Sequence, residues 1–148
     1  MTKSLFVSAI CAGIAAGLLA SALQFTFVIP VLLEGELYET GARVHFGTDG
    51  SPQSDRGAPP LAGDWLRHSM TVAFNIVTYT GYGLLLAAMI SFAALKGITT
   101  TARQGLIWGL CGYIAVQLAP AIGLPPELPG TVAAEVGQRQ LWWISTIL

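Results

Sequence analysis

The sequence predicts an all-α integral membrane protein: a bundle of about four transmembrane helices, the last one incomplete in this chain. Three observations predict it. Only 10% of the 148 residues are charged, where a soluble domain carries about 25%. Mean hydropathy is +0.64. The charges are also unevenly spread. From Leu5 to Leu33 no side chain ionises except Cys11, and from Ser69 to Leu95 none except Tyr79 and Tyr82. About 20 apolar residues in a helix cross a bilayer core, so each window is long enough. The whole chain, 1–148, reads as a single membrane domain.

The first helix is expected over about 4–33. Lys3, the apolar run and Ala20-Ser21-Ala22 mimic a cleavable signal peptide. The run continues to Leu33, far past a signal-peptide core, so it reads as an uncleaved first span. Ala9, Gly13, Gly17 and Ser21 recur every four residues. Small residues at that spacing let another helix approach closely, which makes Gly13 and Gly17 helix-packing candidates. Pro30 removes a backbone donor and predicts a kink in the last turn.

Residues 34–66 are expected to form an extracytoplasmic loop. Its middle, GTDGSPQSDRGAPP (47–60), is expected to be mobile and structureless. A second helix follows over about 67–95, with Asp64 as N-cap and Gly97 as the stop. A third is expected over about 103–120; its apolar part, Gly105 to Ala119, is short for a span. GLPPELPG (123–130) cannot be lipid-facing helix, because its three prolines lack backbone donors. Residues 121–130 therefore read as a rigid elbow. A fourth helix starts from about 131, and its apolar end LWWISTIL covers only about 12 Å, so the chain reads as a truncated one.

Lys3, Lys96 and Arg103 fall on one side of this topology, and Arg43, Arg56, Arg67 and Arg139 with all eight carboxylates on the other, so density and not raw count sets the orientation. The 96–103 loop is short, and short loops dominate the positive-inside rule. The expected orientation puts the N-terminus in the cytoplasm of a multi-pass protein. A net charge of −1 with no basic run excludes a nucleic-acid footprint. The absence of a Gly-rich phosphate loop argues against a nucleotide site, and no enzyme motif is present. Cys11 and Cys111 read as small buried hydrophobes.

Particular words of the chain resemble the CbtA family, a predicted cobalt-transporter membrane subunit of bacteria. They are FVIPVLLEGELYE (27–39), the set Arg67, Thr71, Asn75 and Gly81 to Leu86, the run RQGLIWGLCGYIAVQLAPAIGLPPELPG (103–130), and RQLWW (139–143). The resemblance covers nearly everything outside 40–63. It implies a bacterial inner-membrane location, about five helices, and a small partner subunit, CbtB, with a histidine-bearing tail. It also implies an outer loop that is frequently His-rich; here that loop keeps only His45.

The residues offer three chemistries. Glu34, Glu36, Glu39 and His45 combine carboxylates with imidazole, a set that suits a transiently held Co²⁺ or another borderline divalent ion. Glu36 and Glu39 share a helix face if the first helix continues that far. Gln24, Asn75 and Gln117 sit inside apolar windows and want hydrogen-bond partners on other helices. Glu127 in the elbow is expected to pair with Arg139, beside Gln140. Trp142 and Trp143 read as interface aromatics, and His68 as a packed histidine. Two functions fit. One is a metal-transporter subunit acting with a small membrane partner. The other is an accessory structural subunit of a larger photosynthetic or respiratory membrane complex.

Overall fold

The computed structural model describes residues 2–44, 46–51, 57, 59–61, 63–124 and 134–148. The protein is an all-α membrane protein. Helix α1 is Thr2–Leu23 and α2 is Ile29–Glu39, joined by a π-helical segment, Gln24–Val28. Helix α3 is Trp65–Leu95. Helices α4, Ala102–Tyr113, and α5, Ala119–Gly123, flank a second π-helical segment, Ile114–Leu118. Helix α6 is Val136–Ile147. Three continuous stretches are long and apolar enough to cross a membrane: Lys3–Glu39, Trp65–Leu95 and Ala102–Gly123.

Most large apolar side chains of these stretches face outward. Phe74, Val77, Leu85 and Phe92 on α3 and Leu106, Leu110 and Tyr113 on α4 are all exposed. In water that surface would be untenable. In hydrocarbon it costs nothing, and small residues take the interior instead. Cys11 and Cys111 are exposed, which corrects the expectation that they are buried. A thiol is apolar enough to face lipid, and in a helix pair the interior belongs to residues smaller still.

The described chain divides into two compact units, Met1–Met89 and Ile90–Leu148, with the boundary inside α3. In the first unit α1 and α3 pack antiparallel through the small-residue stripe. Ala9 meets Gly83, Gly13 meets Thr80, and Gly17 meets Ile76. A Cβ on Gly17 would lie 2.6 Å from the Ile76 Cα, and one on Gly83 would lie 2.9 Å from the Ala9 carbonyl oxygen. The two backbones are in contact, so glycine is required by the approach itself.

The stripe runs on as half-buried Phe25 and buried Ile29, still every fourth residue. Four residues advance an α-helix by about 400°, so such a stripe drifts by about 40° per step. The π segment closes i→i+5 bonds and winds more slowly: the Ile29 N–H reaches the Gln24 carbonyl. That takes back part of the drift and keeps the later residues facing α3. It also makes room for the ring of Pro30. The helix therefore continues past Leu33 to Glu39, where Thr40 and the positive-φ Gly41 end it.

Asp64 caps α3, with the Arg67 N–H donating to Asp64 Oδ1 at 3.0 Å. A formed turn stands within the loop where mobility was expected. The Ser51 N–H and hydroxyl both donate to Asp49 Oδ1, at 3.0 and 2.6 Å, and the Gly47 N–H reaches the Ser51 carbonyl at 2.8 Å. Asp followed by Gly at positive φ is favourable turn chemistry, and it orders residues 47–51 locally. The two donors from Ser51 hold the Asp49 carboxyl below its ordinary range.

In the second unit α3 ends in a Schellman motif. Ile98 N–H donates to the Ala93 carbonyl at 3.1 Å, Gly97 N–H to Ala94 at 3.0 Å, and Gly97 has φ +82°. A capping box of Thr101 and Gln104 then opens α4. The helical run passes through Pro120 to Gly123, three residues beyond the expected end, because the π segment again absorbs the proline.

Candidate functional site

One end of the first unit gathers acidic residues. Helix α2 carries Glu34, Glu36 and Glu39 to its C-terminal turns, and each meets a different environment. Glu36 receives both arms of the Arg67 guanidinium, Nη1 donating to Oε2 at 3.1 Å and Nη2 to Oε1. Arg67 lies in the first turn of α3, so the bidentate pair joins two helices near one end of each. Glu34 Oε1 accepts from Arg43 Nη1 and from the Gly57 N–H, both at 3.3 Å. It ties the returning loop to the helix that precedes it. Glu39 is exposed. His45 lies outside the described residues. Among the described residues, no three His, Cys, Asp or Glu side chains are grouped to hold a metal ion.

Deeper along the same helix pair lies a polar knot. Asn75 Nδ2 donates to Ser21 Oγ at 3.1 Å and to Gln24 Oε1 at 2.7 Å. Ser21 is buried and spends its own proton on the Gly17 carbonyl at 2.8 Å. Two of the three mid-helix polar residues singled out in the sequence are thus brought together, and they bind α1 to α3. His68 packs edge-on to Phe25, ring centroids 5.3 Å apart. Between them and Leu61, Trp65 and Val72 opens a shallow cleft of about 600 Å³.

The second unit answers a different question. Pro120 has no N–H, so it gives the Val116 carbonyl, four residues back, no α-helical bond. The Trp143 indole N–H takes that place at 3.0 Å. Trp142 donates to the Pro120 carbonyl at 3.3 Å, and its ring fills the space over Gly123, where no Cβ would fit. These tryptophans fasten α6 to the proline-broken helix. Gln117, Arg139, Gln140 and both rings line an open cleft of about 390 Å³. Glu127, the expected partner of Arg139, lies outside the described residues.

Sequence reasoning had not paired Arg43 and Arg67 with the glutamates. The available signal was Arg67 at the start of a helix whose partner ends in EGELYE. Nor had it found the indole donors, although a tryptophan pair one helix beyond a transmembrane proline is a usable hint.

Residues 2–148 match the family model CbtA, described as a probable cobalt transporter subunit. The chain belongs to the CbtA family. No curated protein and no solved structure matches it. The words that carried the resemblance to CbtA fall on the contacts just described. Arg67 clamps Glu36, Thr71 donates back to the Arg67 carbonyl at 3.0 Å, and Asn75 centres the polar knot. Pro30 and Pro120 each follow a π segment, and RQLWW supplies the two indole donors. This CbtA-family chain is thus a membrane protein of a transporter-subunit family.

Proposed function

We propose that this protein is the membrane subunit of a divalent-metal transporter, with cobalt as cargo, working beside a partner subunit. It sits in the bacterial inner membrane as a multi-pass protein with its N-terminus in the cytoplasm. The family match over 2–148 carries the reading. The clustering of Glu34, Glu36 and Glu39 at one end of α2 supports it, since carboxylate oxygens suit a borderline divalent ion and the sequence adds an imidazole, His45, six residues after Glu39.

Arginines already engage two of these carboxylates. An arriving ion meets exposed Glu39 first and then competes with Arg43 and Arg67 for Glu34 and Glu36. A structural subunit of a larger complex could dock its neighbours through the small-residue stripe. That stripe is filled by this chain's own α3.

Cobalt accumulation in cells tests the proposal. Glu34, Glu36, Glu39 and His45 changed together to Ala should reduce uptake by about 10-fold or more, the scale of losing metal-ligand support. Arg43→Ala should raise the apparent affinity by releasing Glu34. Uptake unchanged in the quadruple variant removes these residues from the pathway. A pigment- or haem-bearing complex co-purifying in fixed ratio would replace the transporter reading with the structural one.

A further inference from the structure

The polar knot of the first unit leaves two hydrogen-bonding atoms unused, and their identity is fixed by the chain of bonds around them. Ser21 Oγ donates to the Gly17 carbonyl, so it can only accept from Asn75. Asn75 must therefore present its NH₂ to Ser21. The same NH₂ reaches Gln24, so Gln24 must present its carbonyl oxygen inward. What remains is Asn75 Oδ1, an acceptor, and Gln24 Nε2, a donor. Among the described residues neither has a partner, and both side chains are only partly buried.

The depth of these atoms makes that costly. Asn75 lies about 12 Å along α3 from Arg67 at 1.5 Å per residue, inside a hydrocarbon layer about 30 Å thick. An unsatisfied amide there costs several kcal/mol. A bare cation does not fit the pair, because Gln24 Nε2 presents a positive hydrogen to it. The group required is neutral and offers one acceptor and one donor.

We propose that the occupant is a second copy of this chain, docked on this face by a two-fold axis. Two-fold symmetry sets residue i on residue j and j on i. Gln24 Nε2 of one copy then donates to Asn75 Oδ1 of the other, and the reciprocal bond forms at the same time. The one donor and one acceptor left over are self-complementary under that operation. The exposed neighbours Thr26, Phe27, Phe74, Val77 and Thr78 are uncharged, so no like-charge contact opposes the approach.

The test uses the full-length chain in lipid nanodiscs and needs no metal transport, so it is independent of the cargo. On a Cys11→Ser, Cys111→Ser background, a Gln24→Cys chain and a differently tagged Asn75→Cys chain are co-expressed and oxidised. A mixed disulfide dimer is expected, the second amide pair of that dimer being intact. Single-molecule photobleaching of the unmodified sequence should show two copies. Gln24→Met keeps the Asn75–Ser21 bond, and it should raise the dimer dissociation constant roughly tenfold, the scale of losing two interhelical hydrogen bonds, with helicity unchanged. A monomeric native chain, no mixed cross-link, or a Gln24→Met chain as dimeric as the parent would each overturn the proposal.

Discussion

Gly13 shows how much a single hydrogen atom can decide. A Cβ there would fall on the Thr80 backbone, not on a side chain that could swing away. Gly13→Ala should therefore destabilise the α1–α3 pair by about 1–3 kcal/mol, the usual cost of overpacking. Gly105 is the control: it lies in α4 with open space around it, and Gly105→Ala should stabilise by up to about 1 kcal/mol through helix propensity. Chemical unfolding in detergent micelles reads both. At the same scale, Asp49 makes the 47–51 turn sensitive to acid. Its carboxyl is held below the ordinary value by the Ser51 hydroxyl and N–H. The stabilisation is therefore present above the ordinary aspartate range and is lost as pH falls through the lowered value. The Ser51 amide resonance should move on acidification, and Asp49→Asn should abolish that movement.

At the scale of elements, both long helices that contain a proline solve the same problem with a π segment, and the second also borrows a donor from another helix. The Val116 carbonyl is satisfied by Trp143 because Pro120 cannot satisfy it. Trp143→Phe should cost about 1–3 kcal/mol, the penalty for orphaning an acceptor away from water. Pro120→Ala restores a backbone donor to that carbonyl, so Trp143→Phe should cost clearly less on that background. A double-mutant cycle measures the difference, and strictly additive losses would show that the indole merely packs. The loop between α2 and α3 is tied back to α2 by Glu34, which accepts from Arg43 and from the Gly57 N–H. Each is a part-exposed contact worth little alone. Glu34→Ala removes both, and limited proteolysis within 40–63 should accelerate several-fold while α1 and α3 stay protected, as expected for a local opening.

Across the whole molecule, the family match, the charge-free windows and the outward apolar faces describe one object, a helical membrane protein of a transporter-subunit family. Much of it was legible. The spans were visible because hydrocarbon admits so few ways to satisfy a backbone. Asp64 and Gly97 marked helix ends because capping chemistry is local. The stripe Ala9, Gly13, Gly17, Ser21 announced a close helix contact because only small residues permit one.

By itself, then, the sequence determined the class of the fold and its apolar spans, and it marked Gln24 and Asn75 as mid-helix amides that had to find partners. Tertiary structure alone decided who those partners are. Glu36 found Arg67 across thirty-one positions, Asn75 found Ser21 and Gln24 on another helix, and the carbonyl freed by Pro120 found an indole. The physical reason is one of range. Solvation and capping act on each residue and its near neighbours, so composition and spacing record them. A hydrogen bond between helices depends on rotation and register, and the two π segments that change the winding here were announced by no residue pattern.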